Sequence, residues 1–578
     1  MTRLSAPLAL SLLVLATVPA GAMADTKAVL LDQGWTPAQR DLYHFISQGT
    51  FLMPAAFLQA LEDGTGGKFM DRRNMLRFGA AYDDGNSSRN PYDWPIGFIV
   101  DAGPNPAGVT QAGLTCAACH SGQVLYKGQR IRIEGGQSDI DLNAFAAELS
   151  EQILTTGRDP ERKKRFIERA VLLGYPGERA EADFEGLYNA TLMSAQHYGG
   201  LTARSTPTGH GRLDAVNDIA NSVFARGLND PANAKPGDAP TSFPYLWDIW
   251  NFDWVQYNAS ARQPMARNMV EALGTGHIGI VDPETDKVLP ENTRWKTTIR
   301  VQNLYDIETT LQDLKPPPWP GEVLGKIDRQ RYSDGKALFA ENCSSCHAVR
   351  RIEGTAEWNV PVIPLQKVGT DPNQAANFAG RRYDATKIGG SAQTSISEGL
   401  YAVVTAVKRQ AYADAGIPPG EWARYDGFGR KNEASPSPCG YRARPLIGVW
   451  ATAPFLHNGS VPTIYDLLGE SRPKTFRMGR NDIDPIKLGL AAQADDSALT
   501  VDTSAAGNSN QGHWFTNDTG RTGRIGRALT EDERYALIEY LKGVTSEDYP
   551  VRTIKEAPPL PCADNPDWAL TWPNKAKP

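Results

Sequence analysis

The chain has 578 residues and a formal net charge of −6. That length suits roughly two to four domains around a large core, and the acidic balance excludes a nucleic-acid binder that relies on a basic face to displace counterions. With 54 glycines and 41 prolines, the composition predicts moderate helices joined by long loops, with few strands. The first residues, 1–24, read as an export signal: Arg3, an apolar run, then a small-x-small end at Ala22-Met23-Ala24 before Asp25. A retained N-terminal anchor is the other reading. No later stretch approaches ~20 uninterrupted apolar residues, so the processed protein is expected to be exported, periplasmic or secreted in a bacterium, and not an integral membrane protein.

"TPAQRDLYHFISQGTFLMPAAFLQALE" predicts two short helices with Gly49 between them. "TCAACHSG" follows from Thr115 and holds Cys116, Cys119 and His120. "VLYKGQRIRI" then alternates like a hairpin around Gly128, and "DLNAFAAELSEQIL" reads as a helix. His197, before Tyr-Gly-Gly, reads as a helix-end cap, and His210 and His277 as loop residues. "FPYLWDIWNFDWVQY" spans Phe243 to Tyr257. Its aromatics suit a core between domains, a relay between redox centres, or the wall of a dry pocket.

"DLKPPPWPG" cannot continue a helix and stiffens into an extended connection. It divides the chain into an N-terminal part, 25–312, a bridge, 313–320, a second domain, 321–546, and a proline-rich tail, 547–578. Past the bridge, "RYSDGKALFAENCSSCH" predicts a helix capped by Ser333, leading into Cys343, Cys346 and His347. Near the end, "LTEDERYALIEYLKGV" predicts a closing helix with a Thr530/Glu533 capping box. Cys439 and Cys562 are left over; in an oxidising compartment they are expected to pair, two separate buried thiols being the alternative.

Cys-x-x-Cys-His occurs twice. Two thiols on one turn reach the vinyl groups of one porphyrin, and the adjacent imidazole points at the iron, so the spacing reads as c-type haem attachment. A thioredoxin-like pair does not call for the histidine, and zinc needs more ligands nearby. Two covalent haems are expected, with His120 and His347 as proximal ligands. The second face of each iron decides the chemistry, because two strong ligands leave only electron transfer. Candidates for that position include His457, Met478 and His513.

"RARPLIGVWATAPFLHNGSVPTIYDLL" resembles the signature segment of bacterial di-haem cytochrome c peroxidases and their relatives. "NPYDWPIGF", "LTCAACHSGQVLYKGQRIRIEGG" and "TSFPYLWDIWNFDWVQYNASARQPMARNMVEALG" are similar to the di-haem rubber oxygenase branch. The resemblance implies a mainly α fold of two cytochrome c-like haem domains, with long loops and minor β-hairpins. It also implies one haem closed for electrons and one open for chemistry. Peroxidases of this kind carry a histidine shortly after the first haem histidine; here none lies between His120 and His197. The rubber-oxygenase pattern leaves the N-terminal haem open to O2 and gives the C-terminal haem a second histidine from a late loop, a place that His513 occupies. The resemblance further implies Trp247 as an inter-haem relay, His457 beside a haem or bracing the interface, and a calcium between the domains that no motif places. The expected function is O2 activation for oxidative C=C cleavage of a hydrophobic alkene or polyisoprenoid. The alternatives are H2O2 reduction with electrons from a small donor protein, non-enzymatic electron transfer by two haems, and long-range oxidation of a partner protein.

Overall fold

The computed structural model describes residues 27–571 apart from 106, 276–279, 283–284, 292, 427–432, 480 and 493–497. The expected signal 1–24 and His277 lie outside the described residues. Within them, helices carry most of the regular structure, and the strands are two to six residues long in sheets of two or three. None of the helices is long and apolar enough to cross a membrane.

Helix α1 (Pro37–Phe45) starts at a Thr36/Gln39 capping box with proline in its first turn. It buries Tyr43, His44 and Phe45. Gly49 follows at φ +87°, where a Cβ would lie 2.1 Å from the Thr298 carbonyl oxygen; only glycine fits that approach. The first Cys-x-x-Cys-His forms one helical turn, Ala117–His120. A hairpin leaves it directly: Ser121–Tyr126 pairs with Gln129–Glu134 across Lys127 and Gly128, both at positive φ. Asp141 caps α2 (Leu142–Arg158), and α3 (Pro160–Leu172) and α4 (Gly177–Thr202) follow. His197 is exposed inside α4 rather than capping its end. The helix runs on through Gly199 and Gly200, whose intrinsic cost of roughly 1 kcal/mol each is too small to stop a helix anchored over several turns. Helix α5 (Pro264–Thr275) completes the part before the bridge that matters for the site.

Past the bridge, α6 (Arg329–Asn342) begins one turn earlier than the sequence suggests. Asp328, not Ser333, is the cap, its carboxylate accepting from the Gln330 and Arg331 amides. A carboxylate satisfies two orphan amides at once, leaving Ser333 inside the helix. Helix α7 (Ile396–Asp414) starts at a Ser395/Glu398 capping box. The closing helix α8 (Glu531–Gly543) has the expected Thr530/Glu533 box and crosses α6 at Gly335. A Cβ there would stand 2.0 Å from the Ala536 carbonyl oxygen. That crossing aims the end of α6 at the second Cys-x-x-Cys-His turn, Ser344–His347.

The bridge runs over continuous core. One buried cluster contains Trp35, Ile133 and Trp247 from before it and Phe339, Trp450 and Leu537 from after it. Trp450 Nε1 donates to the Pro317 carbonyl at 2.9 Å. The tail is tied down: Val551–Ile554 pairs in parallel with Val349–Ile352, and Trp568 is buried with its indole N–H on the Ser437 carbonyl at 2.7 Å. Cys439 and Cys562 are bonded, with Cα atoms 5.7 Å apart.

Candidate haem sites

Each Cys-x-x-Cys-His turn opens on its own cavity. The first, of about 240 Å³, is walled by Cys116, Cys119 and His120, by Val270 and Glu271 of α5, and by Leu400, Tyr401 and Val404 of α7. The turn is pinned from behind. Gly97, at φ +85°, lies so close that a Cβ would be 2.1 Å from the Ala118 nitrogen, and Ser138 donates to the Ala118 carbonyl at 2.7 Å. Burial pushes the His120 imidazole down to about 4 and the Cys119 thiol up to about 12. The ring is therefore neutral at physiological pH and free to ligate.

The second cavity, of about 330 Å³, is walled by Cys343, Cys346 and His347, together with His457, His513, Tyr441 and Phe455. The His347 Nδ1 lies 2.7 Å from the Arg444 carbonyl. A carbonyl only accepts, so Nδ1 carries the proton and Nε2 is left for a metal. Tyr549 fixes the same turn, donating to the His347 carbonyl at 2.8 Å while accepting from the Leu446 amide at 2.7 Å.

His513 faces His347 across this cavity with ring centres 6.3 Å apart. Two nitrogen–metal bonds of about 2 Å, plus roughly 1 Å from each nitrogen to its ring centre, make about 6 Å. The two imidazoles are thus spaced to share one iron. Burial, followed by the charges of His347 and Arg472, pushes His513 down to about 3. Its backbone is held hard. The His513 amide donates to the Val368 carbonyl at 2.7 Å. Arg472 donates to the Gly512 and His513 carbonyls at 2.9 and 3.1 Å and lies 3.8 Å over the Trp514 ring. Gly512 packs on Gly369 so closely that a Cβ would fall 2.2 Å from its carbonyl carbon.

The residues present fit a covalently held porphyrin. The motif thiols are unpaired in both turns, although Cys439 and Cys562 in the same chain are bonded. The 6.3 Å spacing leaves room for one metal. In the first cavity, the side-chain oxygens of Thr115, Ser242 and Gln374 are buried without hydrogen-bond partners. Such groups are costly unless a bound molecule answers them.

The remaining sequence candidates separate clearly. His457 does line the second cavity; its ring stacks on Tyr441 at 3.9 Å, its carbonyl accepts from the Ser242 amide at 2.9 Å, and burial lowers it to about 3. It thereby ties the second cavity to the strand Thr241–Ser242, which leads directly into Phe243. Met478 is buried in the strand Thr475–Met478 beside Gly209 and is not in the cavity wall. Trp247 is buried, donates to the Ile447 carbonyl at 3.0 Å and stacks on Tyr245 at 4.3 Å. It stands one ring behind the walls. Phe243 and Tyr257 line both cavities, and Tyr245 lines the second and a small space beside His120. His210 Nδ1 donates to the Asp139 carbonyl at 2.7 Å, a structural role. Among the described residues, no group of three or more His, Cys, Asp or Glu side chains stands together to hold a metal ion.

Two features escaped sequence reasoning. Glu271 has no motif around it, yet it lines the first cavity, accepts from Gln256 at 2.9 Å and is pushed upward by burial, with Arg267 pulling against it. Arg442 and Arg444 sit inside the quoted "RARPLIGVW", and both line the second cavity and the small space beside His120. Their spacing of two in extended chain was the available signal, since it puts both side chains on one face.

Comparison with known proteins agrees with this chemistry. A family model described as "RoxA-like, cytochrome c-like" matches residues 440–477, the segment that carries Arg442, Arg444 and His457, and a cytochrome c-like domain implies haem c. The chain is 26% identical over 359 residues to the uncharacterized protein y4iM of Sinorhizobium fredii, covering 59% of this chain and 74% of that one. It is 36% identical over 568 residues to the uncharacterized protein y4iJ of the same organism, covering 89% of this chain and 93% of that relative. The chain therefore belongs to the y4iJ family and carries a RoxA-like, cytochrome c-like segment, which links it to the haem oxidoreductases.

Proposed function

We propose that this protein is an exported di-haem c-type oxidoreductase, built on two cytochrome c-like domains, that uses O2 at its N-terminal haem to cleave a C=C bond of a hydrophobic alkene or polyisoprenoid. The observation that carries this reading is the inequality of the two cavities. Across from His347 stands His513. In the first cavity, the described walls hold no second histidine and no methionine opposite His120. A c-type haem held by Cys116, Cys119 and His120 would supply an iron able to bind and activate O2.

The chain's own residues then have separable tasks. Cys116, Cys119 and His120 hold the reacting haem, and Cys343, Cys346, His347 and His513 hold the other. Val270, Leu400, Val404 and Phe378 present an apolar wall to the substrate and exclude water. Phe243, Tyr245 and Tyr257, with Trp247 stacked behind, fill the space between the cavities with π-systems through which an electron passes. O2 uptake on addition of an alkene, with carbonyl products, tests the reading; H2O2 turnover with a reduced donor protein and no such uptake replaces it.

Glu271 favours that second reading. A half-buried, cavity-lining carboxyl that resists ionisation is suited to move the protons that O–O cleavage of peroxide demands, and dioxygen insertion into a C=C bond needs no net proton. The two readings therefore differ in what they require of one side chain.

A further inference from the structure

The arginines around the haem cavities are of two kinds. Arg262 and Arg267, at the first cavity, are answered by carboxylates: Arg262 by Glu433 and Glu357, Arg267 by Glu308. Arg442 and Arg444 have no ion pair among the described residues. Arg442 is 8% exposed; its side chain donates to the Trp254 carbonyl and lies over the Phe252 ring, and its Nε has no partner. Arg444 donates to the Tyr245 carbonyl at 3.3 Å and stacks 3.7 Å over the Tyr245 ring. Carbonyls and ring faces offer partial charge only. The two guanidinium groups, buried at Arg442 and half-buried at Arg444, line the same two spaces and repel, and the buried one is costly to keep dry without an anion.

Their position identifies the anion. Both arginines line the cavity of His347 and the small space beside His120, so they lie between the two haem seats. A porphyrin tethered through its vinyl edge by two cysteines still carries two propionate carboxylates. The planar guanidinium fork matches a carboxylate in a bidentate arrangement. We propose that Arg442 and Arg444 form a carboxylate clamp shared by the two haems, each haem contributing a propionate. The proposal rests on the two-haem reading. It makes the chain at and just past the end of the strand Gly440–Arg442 a common electrostatic control: the Arg444 carbonyl orients His347, while its guanidinium and that of Arg442 hold positive charge beside both porphyrins. Fixed positive charge favours the reduced iron, so the clamp raises both potentials together.

The test uses the full-length holoprotein, as wild type and as R444Q, R444K and R442Q, with haem counted by pyridine haemochrome. In R444Q, the reduced-to-oxidised ratio of both haems at a fixed potential is expected to fall about tenfold, a shift of about 59 mV for one electron. The resonance Raman bands of the propionates are expected to move, and R444K, which keeps the charge but loses the fork, is expected to hold the potentials near wild type while the bands still move. R442Q supplies the same readout where R444Q does not fold. A diffusible anion in the clamp gives a different pattern: wild-type potentials respond to added inorganic phosphate, R444Q does not, and the propionate bands stay in place. That result overturns the proposal, as does a shift confined to one haem. Two haems per chain with potentials and bands unmoved removes the clamp alone; a count of one removes the two-haem reading and the clamp with it.

Discussion

His347 and His513 face each other with ring centres 6.3 Å apart across one cavity, while His120 has no such counterpart among the described residues of its own cavity wall. Replacing His513 should therefore change one haem and spare the other. His513→Ala is expected to convert the C-terminal haem from a six-coordinate low-spin to a high-spin signal in electron paramagnetic resonance. Haem content should hold, because Cys343 and Cys346 still tether the porphyrin. An unchanged low-spin signal would place the second ligand elsewhere.

Glu271 separates the two catalytic readings. Glu271→Gln keeps the hydrogen-bonding shape beside Gln256 and removes the ionisable proton. Peroxide turnover should fall by about 10²-fold or more, while alkene-dependent O2 uptake should stay within a small factor of wild type. Parallel assays of the two reactions on one preparation read this directly.

Gly335 marks the tightest helix crossing. An alanine there gains up to about 1 kcal/mol of helix propensity. Its Cβ, however, meets the Ala536 carbonyl oxygen at 2.0 Å, and backbone on both sides cannot yield cheaply. The clash wins: Gly335→Ala should destabilise by about 1–3 kcal/mol, read as a lower urea midpoint.

The bond between Cys439 and Cys562 closes a separation of 123 residues. Its loss in a Cys439→Ser, Cys562→Ser double variant should cost about 2–5 kcal/mol. The same variant should expose Trp568, visible as a red-shifted tryptophan emission at low denaturant.

A buried cluster sets a pH window for stability. His44 donates to Asp83 at 3.0 Å and to Glu134 at 2.9 Å. Burial pulls its imidazole down, but the Glu134 charge and the two hydrogen bonds outweigh that and raise it above 6.5. Asp83 is lowered to about 2: burial opposes ionisation, and the bond from His44 with its charge prevails. The His44 contribution is complete below pH 6.5 and is lost as pH rises through the folded value. The Asp83 contribution is complete above its ordinary 3.8 and is lost as pH falls toward about 2. Stability from this cluster is thus greatest between those limits. His44→Gln should flatten the alkaline decline in urea midpoint against pH.

What the sequence disclosed follows from how local each signal is. The Cys-x-x-Cys-His turns, the Gly128 hairpin and the Thr530/Glu533 cap are each set within a few residues, so spacing alone locates them. Ser333 misled because Asp328, five residues earlier, is the better acceptor for helix amides. Trp247, expected as a relay, is buried and stacks on Tyr245, and it is Tyr245 that reaches a cavity wall. Alternation along an irregular loop does not tell which of two neighbouring aromatics faces inward. Glu271 and the arginines acquire their meaning only from α5 and the strand end meeting in space.

The loop that presents His513 is braced by the protein itself: Gly512 is wedged on Gly369, and Arg472 grips two successive carbonyls. As the second ligand of the proposed C-terminal haem, an imidazole mounted so rigidly would have no slack to leave and return as the iron changes charge. Electron delivery through that centre then needs no ligand exchange and carries a small reorganisation penalty, so the protein as purified should be competent without a reductive priming step.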